Sequence, residues 1–284
     1  MIFREFSRYY KYNYLIIFAT MKSSVHTFRG EEFEMDYAVF GEGSVPMVIL
    51  PGMSLLPVTP NAQSVACAFK QFHKACTVYL FDRRKSFPQG FSIFDMAADT
   101  VKALESLGIR DAFVYGASQG AMTAMVLAAR RPHLVGRLAL ASTSARQGDV
   151  CRENMRTWAE LADASDTVAL NRDFFSKVYS PSFVLKHQDA LAAMETLGTA
   201  EQLRNFGISA RATATFDFLD EVSSIKCPVF LSGVRQDTVL GGQGTLDIAR
   251  ELGCEPCLYD GPGHAVFDED PLFIPRLASF FGIV

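Results

Sequence analysis

AFVYGASQGAMTAMVLAARRP, residues 112–132, decides how the rest of the chain is read. Its first four residues, Ala112 to Tyr115, form a short unbroken apolar run, the pattern of a strand covered on both faces. Five turn residues follow, GASQG at 116–120. Ala121 to Arg131 then reads as an apolar helix that stops before Pro132. A serine at such a strand–turn–helix junction is pushed out beyond the carboxyl edge of the sheet, where open α/β sheets place their ligands. Glycine is needed on both sides of it because the turn is tight and a side chain there would meet neighbouring backbone. The amide of Gln119, which starts the helix, carries the helix's positive end towards the same spot. The five-residue pattern alone would arise by chance in a chain of this length about one time in ten. The strand before it and the helix after it make that coincidence much rarer.

Five further apolar runs accompany Ala112 to Tyr115: Met47 to Leu50, Thr77 to Phe81, Leu138 to Ala141, Pro228 to Leu231 and Cys257 to Tyr259. None alternates, which a parallel sheet buried on both faces requires. Val25 to Phe28 and Phe33 to Phe40 flank Arg29-Gly30-Glu31-Glu32 and read as an antiparallel hairpin at one sheet edge. Between the runs, Ser92-Ile93-Phe94-Asp95 is a capping-box variant. It opens a helix with Ile93, Met96, Ala97, Leu104 and Leu107 on one face and Gly108 at its end. The fold class is therefore α/β, a mostly parallel, doubly wound sheet. The six runs start at intervals of 30, 35, 26, 90 and 29 residues. The long interval marks an inserted unit at residues 145–222, helical by composition and rich in aromatics, between core segments 25–144 and 223–284.

Composition narrows the function classes. The chain has 284 residues, 49% hydrophobic and 20% charged, with a net charge of −4. That balance fits a globular protein with a sizeable core and, without a basic stripe, carries no nucleic-acid footprint. The cysteines are Cys67, Cys76, Cys151, Cys227, Cys254 and Cys257. Cys254-x-x-Cys257 has no second cluster to complete a metal site, so both are expected to be small buried residues and no metal is expected. A reducing cytoplasm is the expected setting, with a small-molecule partner, no membrane span, and a monomer or homodimer. Residues 1–24 read as an N-terminal extension without defined structure, and Met21 is a second candidate start. The run Leu15 to Ala19 is too short to span a membrane, and no small-x-small cleavage site follows it.

A serine nucleophile needs a base and an acid that orients the base. Of five histidines, His26 lies in the first hairpin, His73 at the end of an early helix, His133 just after Pro132 and His187 in the insertion. Only His264, in DGPGHAV at 260–266, follows the last strand in a glycine-rich loop at the sheet's carboxyl edge. For the acid, Asp237 lies on the loop after the neighbouring strand. Its rival Asp260 is four residues from His264 and better placed to structure that loop. A second oxyanion donor beside Gln119 is offered by the Met53 amide, where Leu50-Pro51-Gly52-Met53 ends an earlier strand.

LPGM at 50–53, FDRR at 81–84, GASQG at 116–120, LSGVRQD at 231–237 and GPGH at 261–264, in that order, resemble the α/β-hydrolase superfamily over nearly the whole chain after residue 25. The resemblance implies an α/β-hydrolase fold with the insertion as a helical cap over the active site. It implies Ser118, Asp237 and His264 as a catalytic triad, with the Met53 and Gln119 amides as the oxyanion hole. Two positions depart from the family's habit. Ala121 stands where a third glycine is common, and Lys85 stands where glycine often follows the Asp-x-Arg motif, so that its side chain would narrow or charge the entrance. Asp82 and Arg84 read as a loop brace or strand-end ion pair.

The expected activity is hydrolysis of a carboxylic ester, or a related acyl bond, of a small and largely apolar substrate through an acyl-enzyme, with no cofactor required. Trp158, Phe174, Phe175 and Phe206 are the candidate pocket aromatics. The same triad also serves lactonases, carbon–carbon hydrolases and aminopeptidases, and receptors of this fold bind small molecules without turning them over.

Overall fold

The computed structural model describes residues 22–283, so the expectations for the leader and for Met21 lie outside the described residues. Eight strands form one sheet: β1 (Ser23–Arg29), β2 (Glu34–Phe40), β3 (Val45–Leu50), β4 (Cys76–Arg84), β5 (Ala112–Ala117), β6 (Val135–Ala141), β7 (Val229–Val234) and β8 (Cys257–Tyr259). β1 begins at Ser23, two residues inside the segment expected to be extension. The order across the sheet is β1-β2-β4-β3-β5-β6-β7-β8. The β1–β2 and β2–β4 pairings are antiparallel and every later pairing is parallel. The expected hairpin therefore forms one edge, and β5, the strand of the GASQG turn, lies inside the parallel part.

The sheet divides two cores, and this explains why the apolar runs do not alternate. Val48, Leu50, Val114, Leu138 and Leu140 face one core, while Met47, Ile49, Val78, Leu80, Tyr115 and Ala139 face the other. The first core is closed by α2 (Ile93–Ser106) and α3 (Gln119–Arg130), the second by α1 (Ala62–Ala68) and a C-terminal helix (Phe273–Phe281). Burying one such aliphatic side chain contributes about 1.5–3 kcal/mol, so a polar residue at either parity would cost the core directly. The start of α2 is fixed locally. The Ser92 hydroxyl accepts from the Asp95 amide, and the Asp95 carboxylate accepts from the Ser92 amide. A cap of this kind is worth about 1 kcal/mol. Gly108, with φ of +68°, ends the helix.

Between β6 and β7 the chain leaves the sheet as five helices: α4 (Asp149–Asp163), α5 (Thr167–Val178), α6 (Pro181–Lys186), α7 (Gln188–Met194) and α8 (Ala200–Ala214). α4 and α8 pack along each other. The neck of this excursion is pinned: the Phe218 amide donates to the Ala145 carbonyl at 2.7 Å, and Arg146 pairs with Asp217 at 2.8 Å. After β7 come α9 (Gln243–Leu252), β8, the short α10 (Val266–Glu269) and the C-terminal α11.

Candidate active site

Ser118 sits at the β5–α3 junction with φ of +51° and ψ of −119°. A non-glycine residue held there stores on the order of 1–3 kcal/mol of strain, which the surroundings must overcome. The flanking glycines show how. A Cβ on Gly120 would lie 2.0 Å from the Leu50 carbonyl oxygen, and one on Gly116 would lie 2.6 Å from the Ala121 Cα. The turn thus packs backbone on backbone, and the Ser118 amide is tied to the Ala141 carbonyl at 2.8 Å. Thr143 Oγ1 donates to the Ser118 carbonyl at 3.1 Å. Ala121, in place of a third glycine, is fully buried and its methyl group fits within the first core.

The structure brings together the three side chains singled out from sequence. His264 Nε2 lies 2.9 Å from Ser118 Oγ, and His264 Nδ1 lies 2.7 Å from Asp237 Oδ2. With Nδ1–H donating to the carboxylate, Nε2 is left to accept the serine proton. Asp237 is almost fully buried. Burial works to raise its pKa, but the charge and hydrogen bond of His264 and the amides of Leu240 and Val239 outweigh it and hold the carboxyl below its usual value. The acid loop is held from the insertion as well, since Asn154 Nδ2 on α4 donates to the Thr238 and Val239 carbonyls at 2.8 and 2.9 Å. Asp260 does not reach His264 but pairs with Arg235 on the surface. Cys151, buried among these groups, has its thiol pushed up to about 12, chiefly by burial.

A cavity of about 50 Å³ opens on this line. Gly52, Met53, Ser118, Gln119 and His264 border it on the sheet side, and Met155, Trp158, Phe174 and Val178 close it from the inserted helices. Among the described residues, neither the Met53 nor the Gln119 amide donates to a protein acceptor. Two of the four aromatics named from sequence, Trp158 and Phe174, border the cavity, their rings 4.9 Å apart. Phe175 and Phe206 do not. Phe175 follows Phe174 on α5 and so projects about 100° away from it around the helix, packing edge-on against the Phe174 ring at 5.9 Å. Phe206 stands behind Trp158 and Phe174, at 6.3 and 5.9 Å, and faces a second cleft.

Three supports of the site were not read from sequence. Arg83 Nη2 donates to the Pro51 and Gly52 carbonyls, both at 2.9 Å, and so fixes the loop that carries the Met53 amide. Burial lowers its pKa to about 10, with Asp82 opposing. The Gln119 side chain bonds Ser209 and Thr213 on α8. The His264 loop is latched to the α5–α6 junction: Ala265 N–H donates to the Val178 carbonyl at 2.9 Å, and Glu269 accepts from the amides of Ser180 and Gly263 and from the Ser180 hydroxyl. Arg83 and Gln119 lie within FDRR and GASQG, but the partners their side chains take, like those of Glu269, follow no spacing rule. Asp82 and Arg84 do act as braces. The Asp82 carboxylate accepts from the Val58 and Thr59 amides, and Arg84 grips Asp99 at 2.6 Å through two nitrogens. Lys85 is drawn off to Asp36 and Glu34 at 3.1 and 3.3 Å, so its charge is matched rather than offered to the entrance.

Among the described residues no three His, Cys, Asp or Glu side chains converge as a cation site would require, and no helix is long and apolar enough to cross a membrane. Cys254 and Cys257 are partly exposed rather than buried: Cys254 lies in the loop before β8, and Cys257 opens that three-residue strand at the sheet edge.

Comparison with known proteins agrees with this architecture. A model of the family described as the alpha/beta hydrolase fold matches residues 46–271. A protein of Agrobacterium fabrum with the provisional name carbamate hydrolase RutD is 25% identical over 197 residues, 68% of this chain and 76% of that protein. The 3-oxoadipate enol-lactonase 2 of Acinetobacter baylyi is 23% identical over 227 residues, 76% of this chain and 82% of that protein. MGS-M2, an alpha/beta hydrolase enzyme from a Medee basin deep-sea metagenome library, superposes with a TM-score of 0.82 at 22% identity, covering 91% of this chain and 98% of the other. At that identity the likeness speaks for the fold.

Proposed function

This chain belongs to the α/β-hydrolase fold family, and from that premise we propose that it is a serine hydrolase cleaving a carboxylic ester or related acyl bond of a small substrate. The observation that carries the reading is the line Asp237 Oδ2–His264–Ser118 Oγ, at 2.7 and 2.9 Å, with the serine held in a strained turn facing a cavity. In this mechanism Ser118 Oγ attacks the acyl carbon and His264 Nε2 takes its proton. Asp237 keeps the imidazole in the tautomer that leaves Nε2 free and stabilises the imidazolium that forms. The carbonyl oxygen, now an oxyanion, is received by the uncommitted amides of Met53 and Gln119, each such donor being worth about 3 kcal/mol in the transition state. His264 returns the proton to the leaving alcohol. Water, deprotonated by the same nitrogen, then breaks the acyl–serine bond and regenerates the hydroxyl.

The inserted helices act as a cap in this reading, because Met155, Trp158, Phe174 and Val178 exclude water from the acyl group. The cavity is small, about 50 Å³, and this favours a short apolar acyl chain. The chemistry needs no cofactor. The six cysteines are free thiols, which supports a reducing, cytoplasmic setting.

A cyclic ester is opened by the same steps, and the name of the Acinetobacter relative keeps a lactone as the second substrate class. The test is turnover of 4-nitrophenyl esters from acetate to decanoate, with Ser118→Ala alongside. Hydrolysis lost in the variant supports a serine esterase. Folded wild-type protein that cleaves no ester in the series, and opens no lactone, would sink the reading.

A further inference from the structure

A second cleft, about 260 Å³, lies on the other side of the wall that closes the Ser118 cavity. The wall can be named. Phe206 borders the cleft and packs on Trp158 and Phe174, which border the cavity. Ser209 borders the cleft and bonds Gln119, which borders the cavity. Ser54 and Leu55 border the cleft and directly follow Met53 in the chain. The wall is thus two side chains thick, and the two spaces differ in chemistry. The cavity is lined mainly by Met, Trp, Phe, Val and Leu, whereas the larger cleft gathers many polar and charged side chains around a surface that is still in good part apolar.

Most charges around the cleft are already matched. Arg84 holds Asp99, Lys85 holds Asp36 and Glu34, and Asp82 accepts from Val58 and Thr59. What remains uncommitted among the described residues is specific. Arg83 uses only Nη2 on the Pro51 and Gly52 carbonyls, leaving its Nε and Nη1 donors. Gln202 uses only Oε1, on the Thr199 amide, leaving Nε2. Glu201 leaves a carboxylate in the first turn of α8. Donors and an acceptor therefore belong to residues that border one space, without a net surplus of charge. A hydroxyl both donates and accepts, so several hydroxyls on one small neutral molecule answer all three groups. A fatty alcohol would desolvate the same groups and leave them unpaired, a cost that contact with the cleft's apolar side chains offsets only in part.

We propose that this cleft receives the leaving-group half of the substrate, and that this half is a small neutral polyol of the glycerol or sugar type, joined to a short acyl group held in the Ser118 cavity. The assignment rests on the serine-hydrolase reading and deepens it: the apolar character belongs to the acyl half alone. Phe206 is then a partition between acyl and alcohol rather than part of the acyl pocket. In this assignment the alcohol leaves through the open cleft while the acyl group stays enclosed.

The experiment compares hydrolysis of glycerol monoacetate, hexyl acetate and ethyl acetate by pH-stat, in wild type, Glu201→Trp and Glu201→Leu. The ethyl group is small enough to do without the cleft. Wild type is expected to prefer glycerol monoacetate over hexyl acetate. Glu201→Trp, which fills the cleft from an exposed position, is expected to lower kcat/KM for glycerol monoacetate by about ten-fold and to spare ethyl acetate. Glu201→Leu, which removes the acceptor and keeps the space, should fall between. Equal losses on glycerol monoacetate and ethyl acetate, no loss on either, or a wild-type preference for hexyl acetate would overturn the assignment while leaving a serine hydrolase. If no acetate is cleaved and Ser118 is not labelled by a fluorophosphonate, the underlying reading falls and the assignment falls with it.

Discussion

Gln119 Nε2 donates to Thr213 Oγ1 at 2.7 Å, across 94 residues of chain, and the same amide bonds the Ser209 carbonyl and accepts from the Ser209 hydroxyl. The residue whose backbone amide faces the candidate oxyanion is thereby bolted, through its side chain, to α8 of the insertion. Gln119 is 1% exposed, so these bonds form away from water, where an unpaired partner costs most.

Replacing Gln119 with Met keeps the volume and removes the bolt. The Ser209 hydroxyl then loses its acceptor, costing about 1–3 kcal/mol of stability. The expected kinetic result is a fall in kcat of about ten-fold or more with KM within about two-fold, since only the transition-state oxyanion senses the small displacement. Steady-state kinetics on 4-nitrophenyl acetate decide it. An unchanged kcat would make Gln119 a purely structural residue.

Asp237→Asn keeps the shape of the acid but offers His264 an amide, which favours the tautomer with the proton on Nε2. A loss in kcat of about 10⁴ is expected, with the fold intact. Because Asp237 is held below its usual pKa, its ionised form persists into mild acid, so the wild-type activity loss on acidification should not begin at the ordinary carboxylate value. A pH profile of kcat showing a limb near 4 that Asp237→Asn abolishes would contradict this.

Phe174→Ala removes the ring that closes the cavity opposite Trp158. The expected change is a shift of preference from acetate towards longer acyl esters, with a stability loss of about 2–4 kcal/mol for the space created. The check is the ratio of kcat/KM for 4-nitrophenyl octanoate to acetate. A ratio that stays the same would move the acyl chain out of this cavity.

Asp268 stands at the exposed edge of the latch between the His264 loop and α5. Burial raises its pKa to about 6, the Tyr179 hydroxyl at 3.2 Å opposing and Glu269 adding to the rise. The folded state therefore holds this proton more tightly than the unfolded chain. Its contribution is fully present below the unfolded value near 3.8 and is lost as pH rises through about 6. Because Asp268 lies at the exposed surface, solvent screening holds the span to about 1 kcal/mol or less. Asp268→Asn, which cannot ionise, should flatten the stability curve between pH 4 and 6, as read from urea midpoints. Parallel curves for variant and wild type would refute the assignment.

The legible part of this protein was whatever local chemistry could write. Two-sided burial writes itself as unbroken apolar runs, so Met47 to Leu50 and Ala112 to Tyr115 were readable as parallel strands. A serine that must take φ of +51° between backbones in contact writes itself as two glycines. The order of strands, with their loops at one sheet edge, was enough to choose His264 and Asp237 from the alternatives, and in the folded chain they lie 2.7 Å apart. The interval of 90 residues marked the insertion.

Only the tertiary structure could decide how the insertion meets the core. Helical periodicity says that Phe174, Phe175 and Phe206 are apolar, but the direction of each ring depends on how α5 and α8 are rotated over the sheet, and no local preference encodes that rotation. Thus Phe174 lines the cavity, Phe206 divides it from the cleft, and Phe175 does neither. Arg83, Gln119 and Glu269 belong to the same class. Each reaches across tens of residues to carbonyls, hydroxyls or amides that almost any sequence would supply, so the chemistry that makes them supports leaves no pattern in the chain. Local sterics and burial determined the strands, the strained turn and the three aligned side chains. The docking of five helices on a sheet decided the volume, the walls and the polarity of the space in front of them.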